Sequence, residues 1–181
     1  MAAISTRHIL LAFCLLLLCN ACKPDPVIPE SVLGLKPIYV QSDQIIITNS
    51  EPKPFGNLGK IVLVNPYIYV NEKLEGIHVI DNTDPFMPIT ITFWSIPGNI
   101  DFTIEGDILF ADNGRDIYVI DISDKENISL KSTVLNAYSL PRSEKFYPPD
   151  HIGSFECVDT SLGLVVGWES GIILDPKCWR E

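Results

Sequence analysis

The chain has 181 residues, enough for one domain with an appended segment, and its 46% hydrophobic residues suffice for a buried core. Against 23 Asp and Glu stand 13 Lys and Arg, a net charge of −10. Phosphate recognition needs clustered Lys and Arg, so this balance excludes nucleic acid as a partner and opposes charge-driven adsorption to anionic lipid.

Residues 1–22 read as a secretory leader. Arg7 is the only charge ahead of an apolar run from Ile9 to Cys19, and those 11 residues are too few for a membrane-spanning helix, which needs about 20. The run ends in Leu18-Cys19-Asn20-Ala21-Cys22, which resembles the cleavage box of bacterial lipoproteins. Ala21 is the small residue before the cut, whereas Cys19 follows the bulky Leu18. The resemblance implies that Cys22 becomes the acylated N-terminus; the alternative is ordinary secretion with cleavage after Ala21. Each buried methylene contributes about 0.8 kcal/mol, so two or three acyl chains would hold the protein on its membrane. Lys23, where an inner-membrane lipoprotein would show aspartate, implies the outer membrane, on either its periplasmic face or the cell surface.

Residues 23–37 carry Pro24, Pro26, Pro29 and Pro37 and are expected to form an extended tether. The β domain is expected over residues 38–181. In it PIYVQ and IIITN, before Gly56, are candidates for an N-terminal cap strand. Gly56-Asn57-Leu58-Gly59-Lys60 lacks the spacing and the following Ser or Thr of a phosphate loop.

The strongest pattern is an internal repeat. GIHVIDNTDP at 76–85 returns as DIYVIDISDK at 116–125, 40 residues later. Around each phrase (67–93 and 108–134) lie a strand-like run, a polar turn, a second strand, an Asp-Ser/Thr-Asp corner and a third strand. Strand side chains alternate between faces, so Ile77 and Val79 oppose His78 and Ile80. Both faces of the two middle strands are largely apolar, which predicts strands covered on both sides. Third strands with Ile89, Ile91 and Phe93 alternating with Thr90 and Thr92, or Ile128 and Leu130 with Ser129 and Lys131, predict half-buried outer strands. Asp81 and Asp121 are placed to accept backbone N–H groups two residues on. A further alternating strand (Ile100, Phe102, Ile104) makes four strands in about 40 residues, the size of a propeller blade.

IHVID and IYVID with their Asp-containing corners resemble LVIVD repeats. That resemblance covers about residues 60–138. It implies a bacterial envelope or surface protein whose repeats form propeller blades, most such proteins having no defined biochemical activity. Beyond Tyr138 a proline-containing loop leads to SFECVDT and LGLVVGWE, expected as a hairpin, and to GIILDPK, expected as a shortened echo of a middle strand. The reading is all-β: an incomplete β-propeller-like stack of antiparallel blades, two clear repeats and a partial third. A closed propeller usually needs at least four blades, so self-association or an envelope protein partner is expected to complete it.

Chemistry is sparse. Cys14 and Cys19 leave with the leader and Cys22 is the anchor, so Cys157 and Cys178 remain as a possible disulfide in an oxidising compartment. His78 sits mid-strand and His151 in a loop. Gly167-Trp168-Glu169-Ser170-Gly171 is not a nucleophile elbow. Asp112-Asn113-Gly114-Arg115-Asp116 offers oxygens to a cation, but Arg115 opposes one and turns use the same residues. Trp94, Trp168, Trp179 and Tyr118 are a conceivable carbohydrate or peptide surface, packing being their commoner fate. No catalytic residue, metal ligand or cofactor site is assigned. The function expected is a noncatalytic, lipid-anchored interaction or structural module; the alternatives are an envelope hydrolase on the same scaffold and a truncated member of a longer propeller family.

Overall fold

The computed structural model describes residues 30–138 and 147–181, and among these it is all-β with no α-helix, its three sheets antiparallel except for one parallel pairing at Leu35 and Phe155 in the third. Strands β1 (Ser31–Val40) and β2 (Thr48–Ser50) come first. A first meander follows, β3 (Leu58–Val64), β4 (Tyr67–Glu72), β5 (Gly76–Asp81) and β6 (Ile89–Ser95). A second repeats it as β7 (Phe102–Glu105), β8 (Ile108–Asp112), β9 (Ile117–Asp121) and β10 (Ser129–Val134). The chain closes with β11 (Gly153–Phe155), β12 (Leu164–Leu174) and β13 (Cys178–Arg180). The three sheets run β2-β6-β5-β4-β3, β10-β9-β8-β7 and β12-β1-β11-β13.

The two meanders match in register over their last three strands, apart from the first turn, which is one residue longer in the first meander. Tyr69 opposes Val79 as Phe110 opposes Val119, and Trp94 opposes Ile77 as Val134 opposes Ile117. Both carry a bulge at the same place, skipping Ile91 in the first and Lys131 in the second. The corners agree too: Asp81 Oδ1 accepts Thr83 N at 2.8 Å and Asp121 Oδ1 accepts Ser123 N at 2.9 Å. Asp84 and Asp124 repeat the motif with Phe86 N and Glu126 N. A short polar side chain bonding the backbone two residues on sets such a corner without tertiary help. Gly76 is dictated by contact, since a Cβ there would lie 1.9 Å from the Trp94 carbonyl oxygen.

Paired residues share a sheet face, so each meander has a face A (Val70, His78 and Ile80; Ala111, Tyr118 and Ile120) and a face B (Tyr69, Ile77, Val79 and Trp94; Phe110, Ile117, Val119 and Val134). The main core joins face B of the first meander to face A of the second. Tyr69, Ile77, Val79 and Trp94 are buried against Leu109, Ala111, Tyr118 and Ile120. The units therefore stack front to back. Asn71 and Asn99 lock the joint: Asn71 Nδ2 donates to Asn99 Oδ1 at 2.7 Å, and Asn99 Nδ2 donates to the carbonyls of Asp101 and Asp112.

Several sequence expectations are corrected here. The tether cannot run through residue 37, because Ser31–Val40 form β1 in the interior of the third sheet. Pro37 is tolerated there for a local reason. The Leu35 carbonyl accepts Glu156 N, so that side of β1 faces β11, and β11 pairs with β1 only through Leu35 and Phe155. The ring nitrogen of Pro37 points to that side, past the paired residue, where no donor is required. PIYVQ is thus no cap of the first unit; of IIITN, Thr48 and Asn49 belong to the edge strand β2 on β6. SFECVDT and LGLVVGWE do not form a hairpin, since β1 lies between β11 and β12, and GIILDPK continues the single long strand β12 as far as Leu174. The third sheet is consequently not an echo of the repeat. It meets the first unit at the β4–β5 turn, where Lys73 reaches Asp150 at 3.2 Å beside a groove of about 410 Å³.

Coverage of the middle strands also differs from expectation. Ile77, His78 and Val79 are fully buried and Ile80 half-buried, but in β9 only Tyr118 and Ile120 are buried, while Ile117 and Val119 are half-exposed. Ile128 is buried just ahead of β10, whereas Leu130 is exposed.

Candidate functional site

Front-to-back stacking of two equivalent units leaves one face A and one face B without a neighbouring unit. On the first unit, residues 51–57 cover one end of face A. Phe55 lies 4.5 Å from the His78 ring and Lys53 sits over Phe93. The other end is open: Ile61 is 65% and Leu63 59% exposed, both on face A opposite Val70 and Ile68. Beside them the corner after β5 presents Phe86, 94% exposed, with Met87 and Ile89 also exposed. On the second unit, face B presents half-buried Phe110, Ile117 and Val119 with Val134 and Leu135 exposed. Beside this face, Lys60, Phe102, Thr103 and Tyr138 border a cleft of about 140 Å³ that Phe110 and Ile117 also line. Contiguous apolar surface of this kind marks an interaction site more often than scattered exposed residues do.

The equivalent surfaces inside the molecule show how such a face is used. The corner after β9 docks on the first unit: the Lys125 carbonyl accepts Trp94 Nε1 at 2.9 Å and Asn49 Nδ2 at 2.8 Å, and Ile128 N donates to Asn49 Oδ1 at 2.9 Å. Lys125 also lies 5.6 Å from the Tyr67 ring centroid, within cation–π range. Ile122 and Ile128 are buried by this contact region. The first unit's corner has no such receiver among the described residues.

Among the described residues, Glu72 and His78 form a buried carboxylate–imidazole pair, and sequence reasoning missed Glu72. Glu72 Oε2 lies 3.0 Å from His78 Nε2 and both side chains are inaccessible to solvent. Burial works against a charge on Glu72, but hydrogen bonds from His78, Gly56 N and Asn57 N prevail and hold its carboxyl below the usual range. Phe55 and Phe93 close over the imidazole. The arrangement fastens residues 56–57 to the sheet, with no path to a substrate. The signal for it was register, since Glu72 lies diagonal to His78 on the adjacent strand.

The other residues singled out in the sequence are dispersed. His151 Nε2 donates to the Ser154 carbonyl, 3.1 Å away. At 112–116, Asn113 Oδ1 accepts Arg115 N and Asp116 N, and Arg115 forks onto the Asp116 carboxylate, so these groups make a turn. Among the described residues no three His, Cys, Asp or Glu converge as metal ligands. Trp94 and Tyr118 lie in the core between the units, Trp168 meets Phe155 edge-on in the third sheet, and Trp179 is exposed, so the four aromatics form no common surface. Cys157 and Cys178 are joined in a disulfide that ties β13 to the end of β11. Cys22 lies outside the described residues. No helix among the described residues is long and apolar enough to cross a membrane.

Comparison with protein-family models, with curated proteins and with solved structures finds no match.

Proposed function

We propose that the protein is a lipid-anchored module of the bacterial outer envelope that works by binding another protein through the open ends of a propeller-like stack. The observation that carries the reading is the front-to-back packing of two equivalent four-stranded units, which leaves an apolar face A with Phe86 and Met87 at one end and an apolar face B with Val134 and Leu135 at the other. Blades of a propeller pack in this sense around their axis. Binding is the role proposed because exposed apolar side chains gather at these two faces, whereas the Glu72–His78 pair is closed off from solvent.

The anchor is Cys22, on the strength of the Leu18–Cys22 box. The segment between it and β1 is eight residues, 23–30, enough to hold the sheets clear of the headgroups when extended. In a Gram-negative host, Cys22→Ser is expected to abolish incorporation of labelled fatty acid and to move the protein from the membrane pellet to the soluble fraction. Undiminished labelling of the variant refutes the anchor.

A further inference from the structure

We propose that the partner is a second copy of this chain, with face A of the first unit of one molecule docked on face B of the second unit of the other. This rests on the reading of the domain as an interaction module and names the occupant of its open faces. The same two faces already meet inside each molecule, where face B of the first unit carries face A of the second. Docking between copies repeats that joint at the end of face A that residues 51–57 leave open, since Phe55 already covers His78, the equivalent of Tyr118. Leu63 and Ile61 correspond to Ile104 and Phe102, which sit at the internal joint, and Val134 corresponds to Trp94.

The differences between the two corners match the differences between their receivers. Inside the molecule the receiver is polar: Trp94 Nε1 and Asn49 Nδ2 supply donors, Asn49 Oδ1 an acceptor, and Asn49 rides on β2 at the edge of β6. The corner that docks there supplies the Ile128 N–H that Asn49 Oδ1 accepts, with polar Glu126 and Asn127 beside it. The open receiver has Val134 for Trp94, and no strand pairs with the outer edge of β10 among the described residues. The corner left exposed has Pro88 where Ile128 stood, so it brings no N–H that would need an acceptor. It has Phe86 and Met87 where Glu126 and Asn127 stood. An apolar corner without that donor suits an apolar edge without that acceptor. Association of unlike faces is heterologous and either closes into a ring or runs on as a filament. Two copies bring four units, the smallest number typical of closed propellers, so a closed pair is the simplest outcome.

The test uses the intact acylated chain in detergent, its protein mass measured by light scattering. Leu63→Glu places a charge on face A and Val134→Glu on face B; both sites are at least half exposed, so the fold should survive, as unchanged circular dichroism and urea midpoints would verify. The wild type is expected to carry two chains per particle, and each variant alone to dissociate at least tenfold more readily. Mixing the two variants is expected to restore pairs, because one wild-type face A then meets one wild-type face B. If Leu63→Glu unfolds the chain, Phe86→Ser with Met87→Ser tests the same face from an exposed corner. A wild type with one chain per particle, dissociation by only one of the two variants, or no pairing on mixing overturns the proposal. Monomers whose Met87 is nevertheless shielded by a different envelope protein in native membranes would overturn self-docking and leave the binding role standing; monomers with Met87 unshielded there would overturn both.

Discussion

At the scale of single residues, Glu72 has the clearest pH signature. Its carboxylate accepts Gly56 N and Asn57 N and faces His78, which lowers its folded-state pKa below the ordinary 4.5. A carboxyl with a depressed folded pKa contributes stability that is complete above its unfolded pKa and is lost as pH falls through the folded one. Stability of the wild type should therefore fall below about pH 4.5, and part of that slope belongs to Glu72. Glu72→Gln should lower stability at pH 7, because it replaces charge-assisted hydrogen bonds in a buried site, and should flatten the acid limb. Urea midpoints measured from pH 3 to pH 7 check both; an acid limb as steep in the variant as in the wild type would contradict the assignment. The sequence displayed His78 but not its partner, because the pair becomes adjacent only when β4 and β5 align Val70 with His78. The Asp81 and Asp121 corners were legible, because an Asp bonding the N–H two residues on is complete within four residues of chain.

At the scale of elements, the third sheet depends on contacts far apart in sequence. β1 pairs with β12 along ten registered positions and with β11 at one, and β13 is held by β11, by the Cys157–Cys178 bond across 21 residues and by Arg180, which donates to the Pro148 carbonyl. Closing a loop of that length contributes about 3 kcal/mol in the chain-entropy model. Replacing both cysteines by serine should cost a similar amount in that sheet alone. Hydrogen exchange should then quicken at β11 and β13 and stay unchanged at β5 and β9, whose core is separate; equal acceleration throughout would show one cooperative unit. This sheet also marks where sequence reading stopped. Alternating and doubly apolar runs revealed β5 and β9, and the 40-residue recurrence related them, since each meander is built from local hairpins. Nothing local announces that Ser31–Val40 will insert between β11 and β12, more than 110 residues downstream, and four prolines in fifteen residues argued against a strand. The apparent hairpin of β11 and β12 failed for the same reason.

At the scale of the whole molecule, the arrangement is directional. Face B receives and face A inserts, once within the chain and, on our proposal, again at its ends. The half-exposed Ile117 and Val119, which the sequence marked as covered, are the positions a following unit would bury, so that expectation failed where the stack ends. An acidic surface of net charge −10 gives no electrostatic attraction between copies, which places the association on apolar contact and predicts little weakening by salt. The central claim, that the open faces are binding surfaces in the envelope, is tested most directly by oxidative footprinting of Met87 in native membranes, with exposed Trp179 on the third sheet as the internal reference. The account predicts that oxidation of Met87 relative to Trp179 is several-fold lower in membranes than in the dissociated protein. Equal relative oxidation in the two states would contradict it.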